Sequence, residues 1–415
     1  MRTEIIVTFL LNTVFESYLI LRQLKKLFTK NESAKKFYTE EEERQMKTYS
    51  KDKLVFDFFK NFYYSISNSF LVYANFYVLL FDAVKIYSGI KGKMASQLLF
   101  YATYSLLNTL HNVPVTLISN FVIEKKHNFN KMTLSTYVGD TVKNYLISTA
   151  MVSILFYISA NIIENIDNFF MPLILCIALF QIAVVICFPI FILPLFNKFE
   201  ELKEGPLSDK IRAFAESKKF PISKINIMDG SKRSGHSNAF FTGLFTKQIV
   251  LYDTLLDGNM TDDEVMAVLA HEIGHWSCYH TYRQLFFALS SEFLLVFAFQ
   301  KFISTPKVFS EFLNSTEAPL IVRIFYFLDV ITVMNVLFAF LHNYMVRGME
   351  READLYAVKN GFGEELKKAL EKLHSENKSD PCPDYLYSIY NQSHPTLQER
   401  VDFINLNLKT KSKID

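Results

Sequence analysis

The stretch TDDEVMAVLAHEIGHW, residues 261–276, decides how the rest of the chain is read. Thr261 is followed three residues on by Glu264, the pairing of a capping box at a helix start. MAVLA, residues 266–270, then supplies an apolar run that buries such a helix. His271 and His275 stand at i and i+4, on one helix face. Both can offer an imidazole nitrogen to a single Zn²⁺. Glu272 lies about 100° round the helix from His271, too far round to ligate but placed to take a proton from an attacking water. Gly274 leaves room for another chain to approach. Two solvated helix histidines would show the same spacing, so the reading depends on a third ligand.

The best candidate is Glu350 in MVRGMEREADLYA, residues 345–357. A carboxylate there completes a His₂Glu set with an open fourth position, the pattern of a catalytic zinc site. Asp354, one turn on, can accept the second N–H of a ligating histidine. Glu352 points elsewhere and reads as solvated. Spacing alone leaves Glu350 open, because acidic residues are ordinary where a helix leaves a membrane.

The composition supplies the membrane. Of 415 residues 50% are hydrophobic and only 21% charged, too apolar for most soluble proteins. A net charge of +2 excludes the basic excess of a nucleic-acid binder. A bilayer core asks for about 20 mostly apolar residues per helix, and candidates run roughly over 5–21, 62–88, 97–123, 144–163, 169–196, 285–304 and 320–346. The fold class is therefore mainly α, a polytopic membrane protein with about seven transmembrane helices. No signal-peptide cleavage pattern follows the first run, which reads as a retained span. The loop after the first span carries Arg22, Lys25, Lys26, Lys30, Lys35, Lys36, Arg44, Lys47, Lys51 and Lys53, and the loop after the third carries Lys125, Lys126 and Lys131. The loops between are poorer: Lys85, Lys91 and Lys93 after the second span, none in ENIDN, and essentially Lys307 after the sixth. The positive-inside rule then puts residues 197–284 and everything after Arg347 together in the cytosol. The expected organisation is spans one to five over 1–196, a cytosolic insert over 197–284, spans six and seven over 285–346, and a cytosolic C-terminal part over 347–415.

Within the insert, PLSDKIRAFAESKKF has helical spacing, while KINIMD, NAFFTG and QIVLYD read as short strands between turns. The segment 347–361 is expected to continue the last span as helix, two or three helices fill 363–408, and the basic end KTKSKID frays. Cys176, Cys187, Cys278 and Cys382 form no CxxC and no disulfide framework. His280 reads as support for the end of the HExxH helix. His111, His342, Glu16, Asp82, Glu292, Asp329 and Arg323 fall at membrane depth, where polar groups face a protein interior or a wet cavity.

HEIGHW at 271–276, ExxxD at 350–354 and SHPTLQER at 393–400 together resemble the CAAX prenyl protease 1 family. FESYLILRQ, FVIEKKHNFNKMT, LPLFNKFEELKEGPL and MDGSKRSGHSNAFFTGLFTKQIVLYDTLL extend the likeness through most of the chain. The resemblance implies a ring of seven helices around an internal chamber, capped on the cytosolic side by a small α+β zincin-like domain. It implies one Zn²⁺ per chain on His271, His275 and Glu350, with Glu272 as general base. His394 then stabilises the oxyanion, Arg400 holds the zinc-side network, and Asn238, Ala239 and Phe240 form the substrate strand. Ile273, Gly348 and Met349 depart from the family's usual residues without removing a ligand or the base. The implied substrates are prenylated proteins ending in Cys-a-a-X, cut to release aaX, with a second upstream cut in some members. The implied place is the endoplasmic reticulum membrane, and for some members the inner nuclear membrane. Beyond substrate and bilayer, no nucleic acid and no obligate protein partner is expected. Two rivals are a quality-control protease with the same site and a seven-span receptor or transporter in which HExxH is incidental.

Overall fold

The computed structural model describes residues 2–29, 34–243, 247–257, 260–305 and 318–411. Lys30, Lys307 and the end of the basic tail after Lys411 lie outside the described residues. Five helical stretches are long and apolar enough to cross a membrane: Arg2–Phe28, Lys93–Glu124, Leu134–Asn165, Phe170–Phe196 and His280–Ile303. Two more spans are bent pairs, Glu40–Tyr73 with Phe76–Ser88 at 64° and Leu320–Val330 with Thr332–Lys359 at 58°. Counting each pair once gives seven, the number the apolar runs suggest, and the chain is a multi-pass membrane protein.

In order the helices are α1 (Arg2–Phe28), α2 (Glu40–Tyr73), α3 (Phe76–Ser88), α4 (Lys93–Leu117), α5 (Leu134–Asn165) and α6 (Phe170–Cys187). The bend between α2 and α3 sits at Asn75, whose φ of 57° is left-handed, a conformation asparagine tolerates better than most side chains. The Tyr326 hydroxyl donates to the Asn75 side chain across the two bent spans. Around this contact Val72, Tyr77, Phe100, Val322, Phe325 and Ile331 form one buried cluster. Prolines act elsewhere by removing donors. Pro114 precedes the π-helical end of α4 at Ile118–Glu124, Pro189 lies within the π turn that joins α6 to α7 (Leu193–Phe196), and Pro194 follows that turn. The spans are sparsely packed, and none of the apolar window of Lys93–Glu124 is buried. Polar pairs decorate them at depth: Asn61 donates to Glu16, Tyr63 meets His111, and Ser105 meets Thr149. Helices open on both faces, with such pairs between them, suit a wet interior on one side and lipid on the other.

After α7 the chain builds a small sheet from β1 (Phe199–Glu201), β2 (Ile222–Met228), β3 (Ala239–Thr242) and β4 (Lys247–Tyr252), ordered β1-β2-β4-β3. β2 and β4 are parallel, and the other two pairings are antiparallel. The three strands expected from alternation are present. β1 was not expected: three residues, two of them glutamates, carry no pattern, and pairing with β2 makes them a strand. Helix α8 (Pro206–Ser217), the short α9 (Asp253–Leu256) and α10 (Asp262–Ser277) cover the sheet. Ile211, Ile225, Ile249, Leu251, Leu255, Val265, Leu269 and Ile273 form their shared core.

The opposite face of α10 is small. Ala267 and Ala270 pack against Ala357 and Val358 of α13 (Thr332–Lys359), which follows α11 (His280–Ile303) and α12 (Leu320–Val330). Leu366 and Leu370 of α14 (Gly363–Glu376) and Leu397, Val401 and Ile404 of α16 (Leu397–Lys411) complete that cluster, with α15 (Tyr385–Asn391) between. Helix α13 runs unbroken from the last span past Glu350, as its sequence suggests. The first helix closes the fold onto the last segments: Arg22 grips the Asp384 carboxylate at 3.0 and 2.9 Å, and Gln23 donates to Asp380 at 2.7 Å.

Gly274 is where α10 and α13 come nearest. A Cβ there would lie 3.0 Å from the Ala353 Cα, 3.0 Å from the Tyr356 Cβ and 3.1 Å from the Ala353 oxygen. Two backbones cannot yield as a side-chain tip can. Gly274→Ala should therefore push the helices apart and destabilise by about 1–3 kcal/mol. The expected outcome is a lower melting temperature in detergent together with weaker metal retention. Unchanged values of both would mean that the approach is not tight.

Candidate metal centre

Helix α10 starts as its capping box dictates. Glu264 N–H donates to Thr261 Oγ1 at 3.3 Å, and Thr261 N–H donates to the Glu264 carboxylate at 2.8 Å. Lys372 of α14 adds a 2.6 Å ion pair to the same carboxylate. The helix so fixed presents His271 and His275 toward α13, where the Gly274 gap admits Glu350.

His271 Nε2 and His275 Nε2 lie 3.1 Å apart, and Glu350 oxygens lie 3.4 and 3.3 Å from them respectively. Four tetrahedral ligands at about 2.0–2.1 Å from a small divalent ion are separated by about 3.3–3.4 Å. Two imidazole nitrogens at this spacing, each facing one oxygen of the Glu350 carboxylate, therefore fit one ion. Glu350 Oε2 is buried and makes no hydrogen bond of acceptable geometry, although nitrogens of His271 and His394 lie 3.4 and 2.9 Å away. A buried carboxylate oxygen without a donor is costly, and a cation relieves it. Glu350 and Asp354 stand against one guanidinium, Arg400, which leaves a negative charge in excess when the imidazoles are neutral, and more when Glu272 is ionised. Donor type, spacing and charge all fit a divalent metal.

The surrounding hydrogen bonds set the tautomers. His271 Nδ1 lies 2.9 Å from Asp354 Oδ1, so the carboxylate takes its N–H and leaves Nε2 bare. Arg400 holds Asp354 from the far side at 2.9 and 2.6 Å and lies 3.3 Å from the same ring nitrogen. The His271–Asp354 contact is the one the i+4 spacing suggests. His275 is oriented differently from anything anticipated. Its Nδ1 is 2.8 Å from His280 Nδ1, while His280 Nε2 is 3.1 Å from Glu352. With His280 Nε2–H donating to Glu352, His280 Nδ1 accepts from His275 and leaves His275 Nε2 bare. Glu352 is thus not merely solvated, and His280 is more than a helix end. The turn at Tyr279, φ 58°, folds His280 back over His275, a placement no helical period announces.

His394 and Arg400 come from the C-terminal segment. Buried Arg347 of α13 holds the first by donating to the His394 carbonyl at 2.7 Å, and pairs with Glu399 at 2.6 Å. The His394 side chain is 64% exposed and stands open beside Glu350. Arg347 was not singled out by the sequence, because one arginine at a span end has an ordinary explanation.

Among the described residues β3 pairs only with β4, so its other edge is open there. Tyr252 N–H donates to the Asn238 carbonyl at 3.1 Å, which makes 238 and 240 the residues whose main-chain groups face β4. Ala239 and Phe241 therefore face the open edge. Of the three expected substrate-strand residues, only Ala239 turns its main-chain groups to that edge; those of Asn238 and Phe240 face β4, and the next residue on the open edge is Phe241. The strand pleat is the reason, since a shift of one residue reverses direction. Asn238 Oδ1 already caps the Ala239 N–H at 2.8 Å.

Burial opposes protonation of His271, but the Asp354 and Glu350 carboxylates outweigh it and hold its pKa above the usual histidine range. The same negative wall favours a divalent cation. Burial raises Glu272 to about 7, against the pull of His271 and with a push from Glu350. A carboxylate so placed exchanges protons near neutrality.

An HExxH helix joined by a carboxylate from a distant helix, on a body of membrane spans, defines a membrane metallopeptidase. Residues 21–198 match the family described as CAAX prenyl protease N-terminal, five membrane helices, and residues 201–406 match peptidase family M48. The chain is 34% identical over 414 residues to CAAX prenyl protease 1 of Saccharomyces cerevisiae, spanning 93% of this chain and 91% of that one. It is 30% identical to the human CAAX prenyl protease 1 homolog over 400 residues, 85% of this chain and 84% of the relative. The crystal structure of S. mikatae Ste24p superposes with a TM-score of 0.91 at 33% identity, covering 97% of this chain and 98% of that one. The chain belongs to the CAAX prenyl protease 1 family within peptidase family M48. A metallopeptidase of this family implies a metal.

Removing a ligand and removing its support should differ in degree. Glu350→Ala should abolish stoichiometric metal in the purified chain. Asp354→Asn and His280→Phe should each weaken it by about 10–100-fold, measured by competition with a chelator. Full occupancy in Glu350→Ala would place the third ligand elsewhere.

Proposed function

We propose that this chain is a zinc endopeptidase that removes the aaX tripeptide from prenylated proteins ending in Cys-a-a-X, at the cytosolic face of the endoplasmic reticulum membrane. The observation that carries the reading is the triangle of His271, His275 and Glu350 atoms at 3.1 to 3.4 Å, beside an open strand edge and at the end of the helical spans. The names of the relatives supply the substrate class. Charge supports the cytosolic side. Arg22 at the end of α1 binds Asp384, and Lys378 donates to the His127 carbonyl, so the basic loops after the first and third spans lie with the C-terminal segment.

His271, His275 and Glu350 would hold Zn²⁺, which when bound acidifies a water and polarises the scissile carbonyl. The substrate lies extended along β3 and exchanges main-chain hydrogen bonds with Ala239 and Phe241, once Asn238 Oδ1 gives up the Ala239 N–H. Main-chain recognition tolerates varied a-a-X residues. Glu272 takes a proton from the attacking water and passes it to the leaving amine, work suited to a carboxyl whose pKa is near 7. His394, its ring open beside Glu350, offers an N–H to the developing oxyanion, worth roughly 3–4 kcal/mol in comparable sites. Arg400 fixes Asp354 and through it the His271 ring. The prenyl chain gains about 0.8 kcal/mol per buried CH₂ in apolar surroundings, which the membrane body supplies.

The test pairs metal content with cleavage of a farnesylated CaaX peptide. Wild type and Glu272→Gln should both carry about one zinc per chain, while the variant loses about 10²–10⁴-fold in rate. His394→Phe should keep zinc and lose about 10²–10³-fold. A Glu272→Gln chain as active as wild type would remove the base from this mechanism. A wild type that ignores the prenylated peptide and degrades misfolded membrane proteins would replace the substrate.

A further inference from the structure

A cavity of about 850 Å³ runs from His394 and Arg400 past Asn238 to a wall made by His236, Asn377, Lys378 and Lys53. We infer that Lys378 receives the free C-terminal carboxylate of the substrate and so makes the chain a reader of chain ends. The inference rests on the proposed release of aaX, because only then does a carboxylate lie three residues beyond the cut.

The geometry sets the reach. A peptide antiparallel to β3 runs its C-terminal part from Asn238 toward His236. Those two residues are separated by about 6–7 Å of extended chain. His236 Nδ1 is 2.8 Å from Asn377 Oδ1, and its ring stacks on Phe129 at 4.1 Å. Lys378 lies over the other neighbourhood of the same Phe129 ring at 5.0 Å and donates to the His127 carbonyl at 3.0 Å. Lys378 lines the same cavity as Asn238 and His236, and its ammonium keeps donors to spare beyond the one given to the His127 carbonyl.

Its charge is uncommitted. Among the described residues no carboxylate pairs with Lys378, whereas Arg400 is taken by Asp354 and Lys53 lies against Tyr49 beside Glu124. The Glu124 carboxylate is itself engaged by Tyr49 at 2.7 Å and by His236 at 3.4 Å. Backbone shape adds an independent sign. Lys378 follows the end of α14 with φ of 48°, a left-handed position where glycine is favoured. A lysine at such a position, lining the cavity, carries backbone strain that a glycine would avoid.

Because glycine suits that φ, Lys378→Gly removes the cation without threatening the fold. Purified wild type, Lys378→Gly and Lys378→Arg are given one farnesylated CaaX peptide, either as the free acid or as the C-terminal carboxamide. Wild type should prefer the acid by about tenfold or more in kcat/KM, the size of a charge-assisted hydrogen bond. Lys378→Gly should bring the acid-to-amide ratio near one without lowering the melting temperature, and Lys378→Arg should retain most of it. An unchanged ratio in Lys378→Gly overturns the assignment. So does a wild type that cuts acid and amide equally, although the CaaX reading then stands. A wild type that cuts neither overturns both.

Discussion

The structure depends on the approach of α10 to α13 across Gly274. Everything chemical in the chain is either on one of these helices or held against them. A glycine facing Ala353 lets a carboxylate from the last span reach two imidazoles nearly eighty residues earlier. Small residues set the distance, and charge sets the register, since Asp354 must meet His271 as Glu350 meets both rings.

Around that contact the polar groups form a chain of obligations. Arg400 neutralises Asp354, Asp354 orients His271, and Glu352 orients His275 through His280. Arg347 fixes the segment carrying His394. Few of these side chains touch a substrate. Their work is to leave two nitrogen lone pairs facing one carboxylate. The membrane helices contribute differently. They are loosely packed and polar at intervals.

Much of this was legible because the relevant signals are local or periodic. The capping box and the i, i+4 histidines fixed α10, and apolar runs of sufficient length fixed seven spans. Glu350 was only a candidate by spacing and became firm through its neighbours 350–354 and 393–400. What stayed hidden depends on tertiary placement. The bends at Asn75 and Ile331 interrupt runs that are continuously apolar, so hydropathy passes over them. β1 has no pattern of its own. The pleat that puts Phe241 on the open edge needs one hydrogen bond, Tyr252 to Asn238, that no sequence shows. His280 and Glu352 meet only because the chain reverses at Tyr279.

The clasp between Arg22 and Asp384 joins residues 362 positions apart, and the lid over the metal ligands is made by the final stretch after residue 390. A nascent chain emerging from the ribosome therefore owns its imidazoles long before it owns the arginines and histidine that organise them. The hydrogen-bond frame around the imidazoles is complete only once the last few dozen residues are in place.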